Sequence, residues 1–311
     1  VASPLWKQFP TQLEHVMLLR TLGLAVDALA ALAVFAAVRR YWGVAAGVVA
    51  AGLFQIVPIG LHTFCTANLT NAFSQSVFTA ALMIWLWSLS RSRVVLATLG
   101  FASLLALAFL SHFSTLSTGV PIVLAVGAAL WFVNSRERAR GTWTFVALAV
   151  ALGLSYAIYY SHFHAVYATT LERVMAREGA EASRSMVAPV SVKLGRFVYA
   201  LRAEYFGLPL LAGALTGVGV ALVRRSRDAL SLALGAWLLV VSGFLALGVF
   251  TPIEMRAALA GQPLVVAFLG LATTTLWRWT LAGRALAVAV IAAVIVRGCS
   301  DWLLCLGLVA R

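Results

Sequence analysis

The residues best suited to chemistry in this sequence are neutral hydrogen-bonding groups placed between long apolar runs. One set is Leu61-His62-Thr63-Phe64-Cys65-Thr66-Ala67-Asn68-Leu69-Thr70-Asn71, continuing to Gln75; another is Ser111-His112-Phe113-Ser114-Thr115-Leu116-Ser117-Thr118-Gly119. Hydroxyls, amides and imidazoles offer donors and acceptors together, which suits sugar hydroxyls or phosphate oxygens. His62, Asn68 and His112 are the candidate binding group. Helix caps and interhelical hydrogen bonds are the plainer reading of any single Ser or Thr.

Charged residues inside or beside apolar runs form the second class of candidates. Thr251-Pro252-Ile253-Glu254-Met255-Arg256 sets a carboxylate and a guanidinium at the mouth of a helix, and an Arg holds a phosphate through two parallel hydrogen bonds. A local ion pair between Glu254 and Arg256, or an Arg reaching to lipid headgroups, is the alternative. Glu14-His15 leads into a run that carries Arg20 and Asp27, seven residues apart and so near one helical face. Charges at membrane depth mark function or neutralise one another.

Metal and thiol chemistry find little support. His162-Phe163-His164 has no Cys or carboxylate set at ligand spacing and reads as a pair of titrating surface histidines, so no metal is expected. Cys65 reads as a small apolar residue, and Cys299 with Cys305 is a spacing that permits a disulfide without requiring one. Asn68-Leu69-Thr70 matches a glycosylation sequon but hugs the membrane.

The elements that must position these residues follow from composition. Of 311 residues 62% are hydrophobic and 11% charged, against about 25% charged in a soluble domain. That much apolar surface implies an all-α, polytopic transmembrane bundle forming a single domain. Windows near the ~20 residues needed to span occur at 16–38, 43–61, 71–90, 94–112, 117–133, 142–160, 206–223, 229–250, 257–277 and 280–296, about ten helices in all. The tail, 297–311, with Asp301 to Ala310 too short to span, is expected at an interface. Neither an internal repeat nor a pair of broken helices of the transporter kind is evident.

Orientation comes from the arginines. Arg39, Arg40, Arg91, Arg93, Arg136, Arg138, Arg140, Arg224, Arg225, Arg227, Arg278 and Arg284 fall in alternate short connections, which the positive-inside rule places in the cytoplasm. The net charge of +13 is thus a topology signal and not the footprint of a nucleic-acid binder. The opposite loops are then outside, with a bacterial inner membrane and periplasm the expected setting. Residues 1–15 read as the end of an outer loop, and without a signal peptide they suggest an upstream transmembrane helix.

The long outer connection, 161–205, holds two amphipathic patterns. Phe163, Val166, Tyr167, Leu171, Val174 and Met175 share one face; Val190, Leu194, Phe197, Val198, Leu201 and Tyr205 share another, beside Lys193, Arg196 and Arg202. Both are expected to lie on the outer membrane surface and to frame a cavity.

The stretch Arg39-Arg40-Tyr41-Trp42-Gly43-Val44-Ala45-Ala46-Gly47, running through Ala50-Ala51 to Pro58, resembles the GT-C superfamily of integral membrane glycosyltransferases. In those enzymes a basic loop and Gly lead into an Ala-rich helix that ends with Pro at the outer face. Leu107-Ala108-Phe109-Leu110-Ser111-His112 and the run from Arg256 to Pro263 are similar to their later helices. The resemblance implies transfer of a sugar from a polyprenyl-phosphate donor to an outer-side acceptor. General-base activation of the acceptor by a carboxylate and a cationic hold on the leaving phosphate would carry it.

On that resemblance Arg256, Arg196 and Lys193 are the lipid-phosphate candidates, His62, Asn68 and His112 the sugar or acceptor candidates, and Glu14 and Glu254 the carboxylate candidates. The family's catalytic Asp lies in its first outer loop, and no acidic pair here matches that motif. Residues 1–15 look like the tail of that loop, so the catalytic part is expected upstream, or the protein is a non-catalytic relative. Membrane lipids, a lipid-linked sugar and other membrane subunits are the expected partners, the polyprenyl-phosphate sugar being the donor substrate. A structural or assembly subunit is the competing function, and a transporter using Arg20 and Asp27 the third.

Overall fold

The computed structural model describes residues 11–66, 68–88, 94–162, 169, 172, 176, 189–224, 228–250 and 254–305. Among them there is no strand, and the expected windows are helical. The helices are α1 Gln12–Trp42, α2 Val44–Phe54, α3 Pro58–Cys65, α4 Leu69–Ser88, α5 Val94–Ser111, α6 Phe113–Val133 and α7 Arg138–Ser155. There follow α8 Val190–Tyr199, α9 Leu208–Val223, α10 Ala229–Gly248, α11 Glu254–Trp279 and α12 Leu281–Cys305. Nine described helices or helix pairs are long and apolar enough to cross a membrane; α8 and α9, bent by 98°, supply a tenth. The chain is therefore an all-α integral membrane bundle.

Arginine-bearing helix ends meet at one end of the bundle. Tyr41 Oη donates to the Leu86 carbonyl at 3.0 Å and receives Arg140 Nη1 at 3.0 Å. Arg40 donates to the Trp87 carbonyl, and Arg224 Nη2 to Thr275 Oγ1 at 3.1 Å. These bonds tie the ends of α1, α4 and α7 to one another and, separately, the end of α9 to that of α11, as the alternation of basic connections requires. Arg91, Arg93, Arg225 and Arg227 lie outside the described residues. Because α7 ends away from this end and α10 starts at it, α9 must cross; its 16 residues reach about 24 Å.

Lipid is the solvent of the outer helices. Leu29, Leu32, Leu96, Leu215, Leu239, Leu281 and Val296 are exposed, as apolar side chains facing acyl chains are. α4 and α11 form the centre, with 78% and 89% of their apolar windows buried, against 22% for α12. Without a hydrophobic drive between helices, close backbone approach supplies much of the packing. Gly213 and Gly217, four residues apart on α9, face α11, where a Cβ at Gly217 would overlap the Phe268 carbonyl.

Several features depart from the sequence reading. The second apolar window is broken: α2 stops at Phe54 and α3 begins at Pro58, whose ring has no N–H to continue the ladder. The final helix runs through Asp301 to Cys305, where an Arg297–Asp301 ion pair of 3.0 Å and an Arg297 bond to the Ala203 carbonyl of 2.8 Å hold it. Cys65 is not a thiol packed as an apolar residue; it is disulfide-bonded, while Cys299 is free and exposed. The side chain of Cys305 is outside the described residues.

Of the two amphipathic patterns, the second forms α8, with Val190, Val192, Leu194, Val198 and Tyr199 exposed. A wider π-type turn over 200–205 and Gly207 at φ 80 then produce the sharp bend into α9. The first pattern falls largely outside the described residues. A second π-type turn, Tyr156–Tyr160, closes α7.

Candidate functional site

One group of polar candidates gathers at the end of the bundle opposite the arginine-bearing connections. There His112 ends α5 and caps α6 with extended backbone, accepting the Ser114 N–H on Nδ1 at 3.2 Å. Its Nδ1 is also 2.6 Å from Ser114 Oγ, and that hydroxyl donates to Asn71 Oδ1 at 3.0 Å. Ser114 and Asn71 are both buried, so the ring is held by a rigid pair from α6 and α4.

An imidazole that accepts on Nδ1 carries its proton on Nε2 when neutral. Burial, and then the Arg256 guanidinium, hold the His112 pKa below its ordinary 6.5. At neutral pH the result is a neutral donor within the field of a fixed cation on the first turn of α11. That combination suits a phosphate oxygen or a sugar hydroxyl. Thr115 Oγ1, buried in the same turn of α6, has no hydrogen-bond partner.

Other candidates occupy different places. Arg256 is exposed, and the Glu254 side chain is outside the described residues. His62 is exposed on α3, and Asn68 is half-buried, its carbonyl receiving the Ala72 N–H at 3.1 Å at the start of α4. Glu14 closes a capping box with Thr11, accepting its N–H and hydroxyl at 2.9 Å each. On α8, Lys193 lies 5.6 Å from the Phe250 ring centroid, and Arg196 is exposed. His162 is exposed with Ser161 Oγ 3.0 Å from its Nδ1, whereas Phe163 and His164 are outside the described residues. No group of three His, Cys, Asp or Glu able to hold a metal occurs among the described residues.

The Arg20 and Asp27 pair does not form. Asp27 is buried at 6% exposure and receives Ser76 Oγ at 2.7 Å, while Arg20 is exposed, because seven residues of helix carry the two to different depths. Asp27 instead joins a polar cluster beside the α2–α3 break. Asp27, Phe54, Gly60, Gln75, Ser76, Thr79, Leu259 and Gln262 line a cavity of about 10 Å³. Asn71 and Gln75 belong to the polar set read from the sequence and Asp27 to its charged candidates, whereas Ser76, Thr79 and Gln262 escaped that reading. The signal for Thr79 is a polar stripe at helical spacing, Asn71, Ser74, Gln75 and Thr79, in an otherwise apolar helix.

Fold and site together define a polytopic membrane protein with one polar cluster at the end opposite the arginines and another within the bundle. No protein-family model and no curated protein matches the chain. Among solved structures it is similar to an oligosaccharyltransferase of Archaeoglobus fulgidus, crystallised with a tethered acceptor peptide containing the NVT sequon. The TM-score is 0.49 and the identity 14%, over 92% of this chain and 43% of that one. The chain thus spans less than half the length of that protein.

Proposed function

We propose that this chain is the membrane body of a glycosyltransferase that moves a sugar from a polyprenyl-phosphate donor to an acceptor outside the cytoplasm. The observation that carries the reading is the His112–Ser114–Asn71 hydrogen-bond chain, which fixes an imidazole within the electrostatic reach of Arg256. A neutral imidazole, fixed through Ser114 and Asn71, stands in the field of a guanidinium at the bundle end away from the arginine loops. The GT-C resemblance in the sequence points the same way. Arg256 holds the lipid phosphate, His112 and Asn68 meet the sugar or acceptor, and the basic residues of α8, Lys193 and Arg196, draw the lipid headgroup to the membrane surface.

Glu14 serves as a helix cap, which favours a second reading in which another element or another chain supplies the general base, or the chain is an assembly subunit. The test incubates the purified full-length protein with polyprenyl-phosphate sugars and follows donor consumption. Turnover that falls on replacing Arg256 supports the transferase. Donor that is bound but never consumed supports the subunit, and donor that is neither bound nor consumed overturns the reading.

A further inference from the structure

The polar cavity at the α2–α3 break lies inside the bundle, contains one carboxylate and is lined by no basic residue. Among the described residues no ion pair neutralises Asp27, and an uncompensated carboxylate at membrane depth costs several kcal/mol. Its immediate neighbours are neutral. Ser76 donates its hydroxyl proton to the carboxylate, which leaves the lone pairs of Oγ available. Gln262, which lines the cavity, commits Nε2 to the Phe54 carbonyl at 2.7 Å, so Oε1 is the atom it has left to offer a ligand.

Gln75 is buried at 6% exposure and lines the cavity, yet its Nε2 has no hydrogen-bond partner. A half-turn of that amide presents Oε1 in its place. Thr79 adds a hydroxyl oxygen. Pro263 has no N–H, so it cannot bond back to the carbonyl of Leu259, another lining residue. Two helices therefore lose ladder bonds beside the same small space, and irregular backbone at membrane depth is tolerated where a cavity or an ion uses the freed carbonyls.

We propose that this cavity binds one small monovalent cation, Na⁺ by size, with Asp27 as the charged ligand and Ser76, Thr79, Gln75 and Gln262 as neutral oxygen ligands. Hard oxygen donors with a single negative charge balance one positive charge, whereas divalent sites gather more carboxylates. A volume of about 10 Å³ accommodates an object the size of one water molecule. The bound ion joins α1, α4 and α11 around the α2–α3 break and stabilises the bundle independently of any sugar chemistry.

The purified full-length protein in detergent is unfolded by heat in NaCl, KCl and choline chloride at equal ionic strength and over a range of pH. Saturable stabilisation by Na⁺, weaker with K⁺ and absent with choline, is the expected result. Asp27→Asn should raise the Na⁺ concentration for half-maximal stabilisation by roughly tenfold or more. Thr79→Val keeps the side-chain shape and should weaken the Na⁺ response, so it carries the comparison if Asp27→Asn does not fold. Identical unfolding in NaCl and choline chloride overturns the site and leaves water as the occupant. Stabilisation that follows pH and ignores Na⁺ overturns it in favour of a bound proton, and an Asp27→Asn protein with the full Na⁺ response places the ion elsewhere.

Discussion

Gln262 Nε2 donates to the carbonyl of Phe54 across 2.7 Å, joining α11 to α2 at the residue where α2 stops. The break leaves carbonyls that the ladder no longer serves, and lipid offers them no water. Gln262→Leu should therefore lower stability by about 1 kcal/mol, the scale of interhelical hydrogen bonds in membranes. Unfolding in choline chloride isolates this bond from any Na⁺ effect. An unchanged midpoint would mean that another donor serves Phe54.

His112 makes stability depend on pH. Its folded pKa lies below the ordinary value, so the unfolded chain takes up its proton first as pH falls. Stability should be full above about pH 7.5 and should decline as pH drops through the mid-sixes toward the lowered pKa, then level off. His112→Gln, which keeps a hydrogen-bonding side chain without the titration, should flatten that decline. Thermal unfolding between about pH 8 and about pH 5 reads it, and a slope that persists in the variant would assign it to another group.

Arg256→Lys separates charge from geometry. Lysine keeps the positive charge but loses the two-pronged donor set that matches phosphate oxygens. Binding of a polyprenyl phosphate, measured by calorimetry in detergent, should weaken by on the order of 1–3 kcal/mol where the contact is desolvated. Equal affinity for both proteins would make Arg256 a headgroup anchor.

Sidedness is testable by labelling. In a Cys299→Ser background, which removes the free exposed thiol, a cysteine at Ser183 should react with an impermeant reagent from outside. One at Ser92 should react only after permeabilisation. Labelling of the residue 92 cysteine from outside would reverse the orientation and with it the outward-facing site.

Gly217→Val tests the contact of α9 with α11. The added atoms would meet the Phe268 carbonyl, which is backbone and yields little. A loss of about 1–3 kcal/mol is expected, with Gly219→Val, where a Cβ has open space, as the control. Equal stabilities in the two variants would show that α9 packs elsewhere.

Local order along the chain is sufficient for much of the architecture. Apolar windows of spanning length locate the helices and alternate arginines relate their ends, because transfer of each segment into lipid depends on its own composition and hardly on its neighbours. α8 was legible for the same reason, its apolar stripe being a property of ten consecutive residues. The break before Pro58 was visible as a proline; that it interrupts the span was not, since proline inside α6 and α11 leaves those helices continuous.

Which polar groups meet was decided only in three dimensions. Arg20 and Asp27 look paired along α1, yet Asp27 bonds Ser76 on a helix 49 residues away, because burial demands the nearest partner in space. His62, Asn68 and His112 look alike as polar loop residues, and packing alone sets His112 apart by linking it through Ser114 to Asn71 and bringing it within the field of Arg256. Composition and periodicity determined that the chain is a membrane bundle and where its helices run. Tertiary contact decided which few of its polar side chains are buried together, since hydrogen bonds and desolvation act across helices whose sequence separation carries no record of their distance.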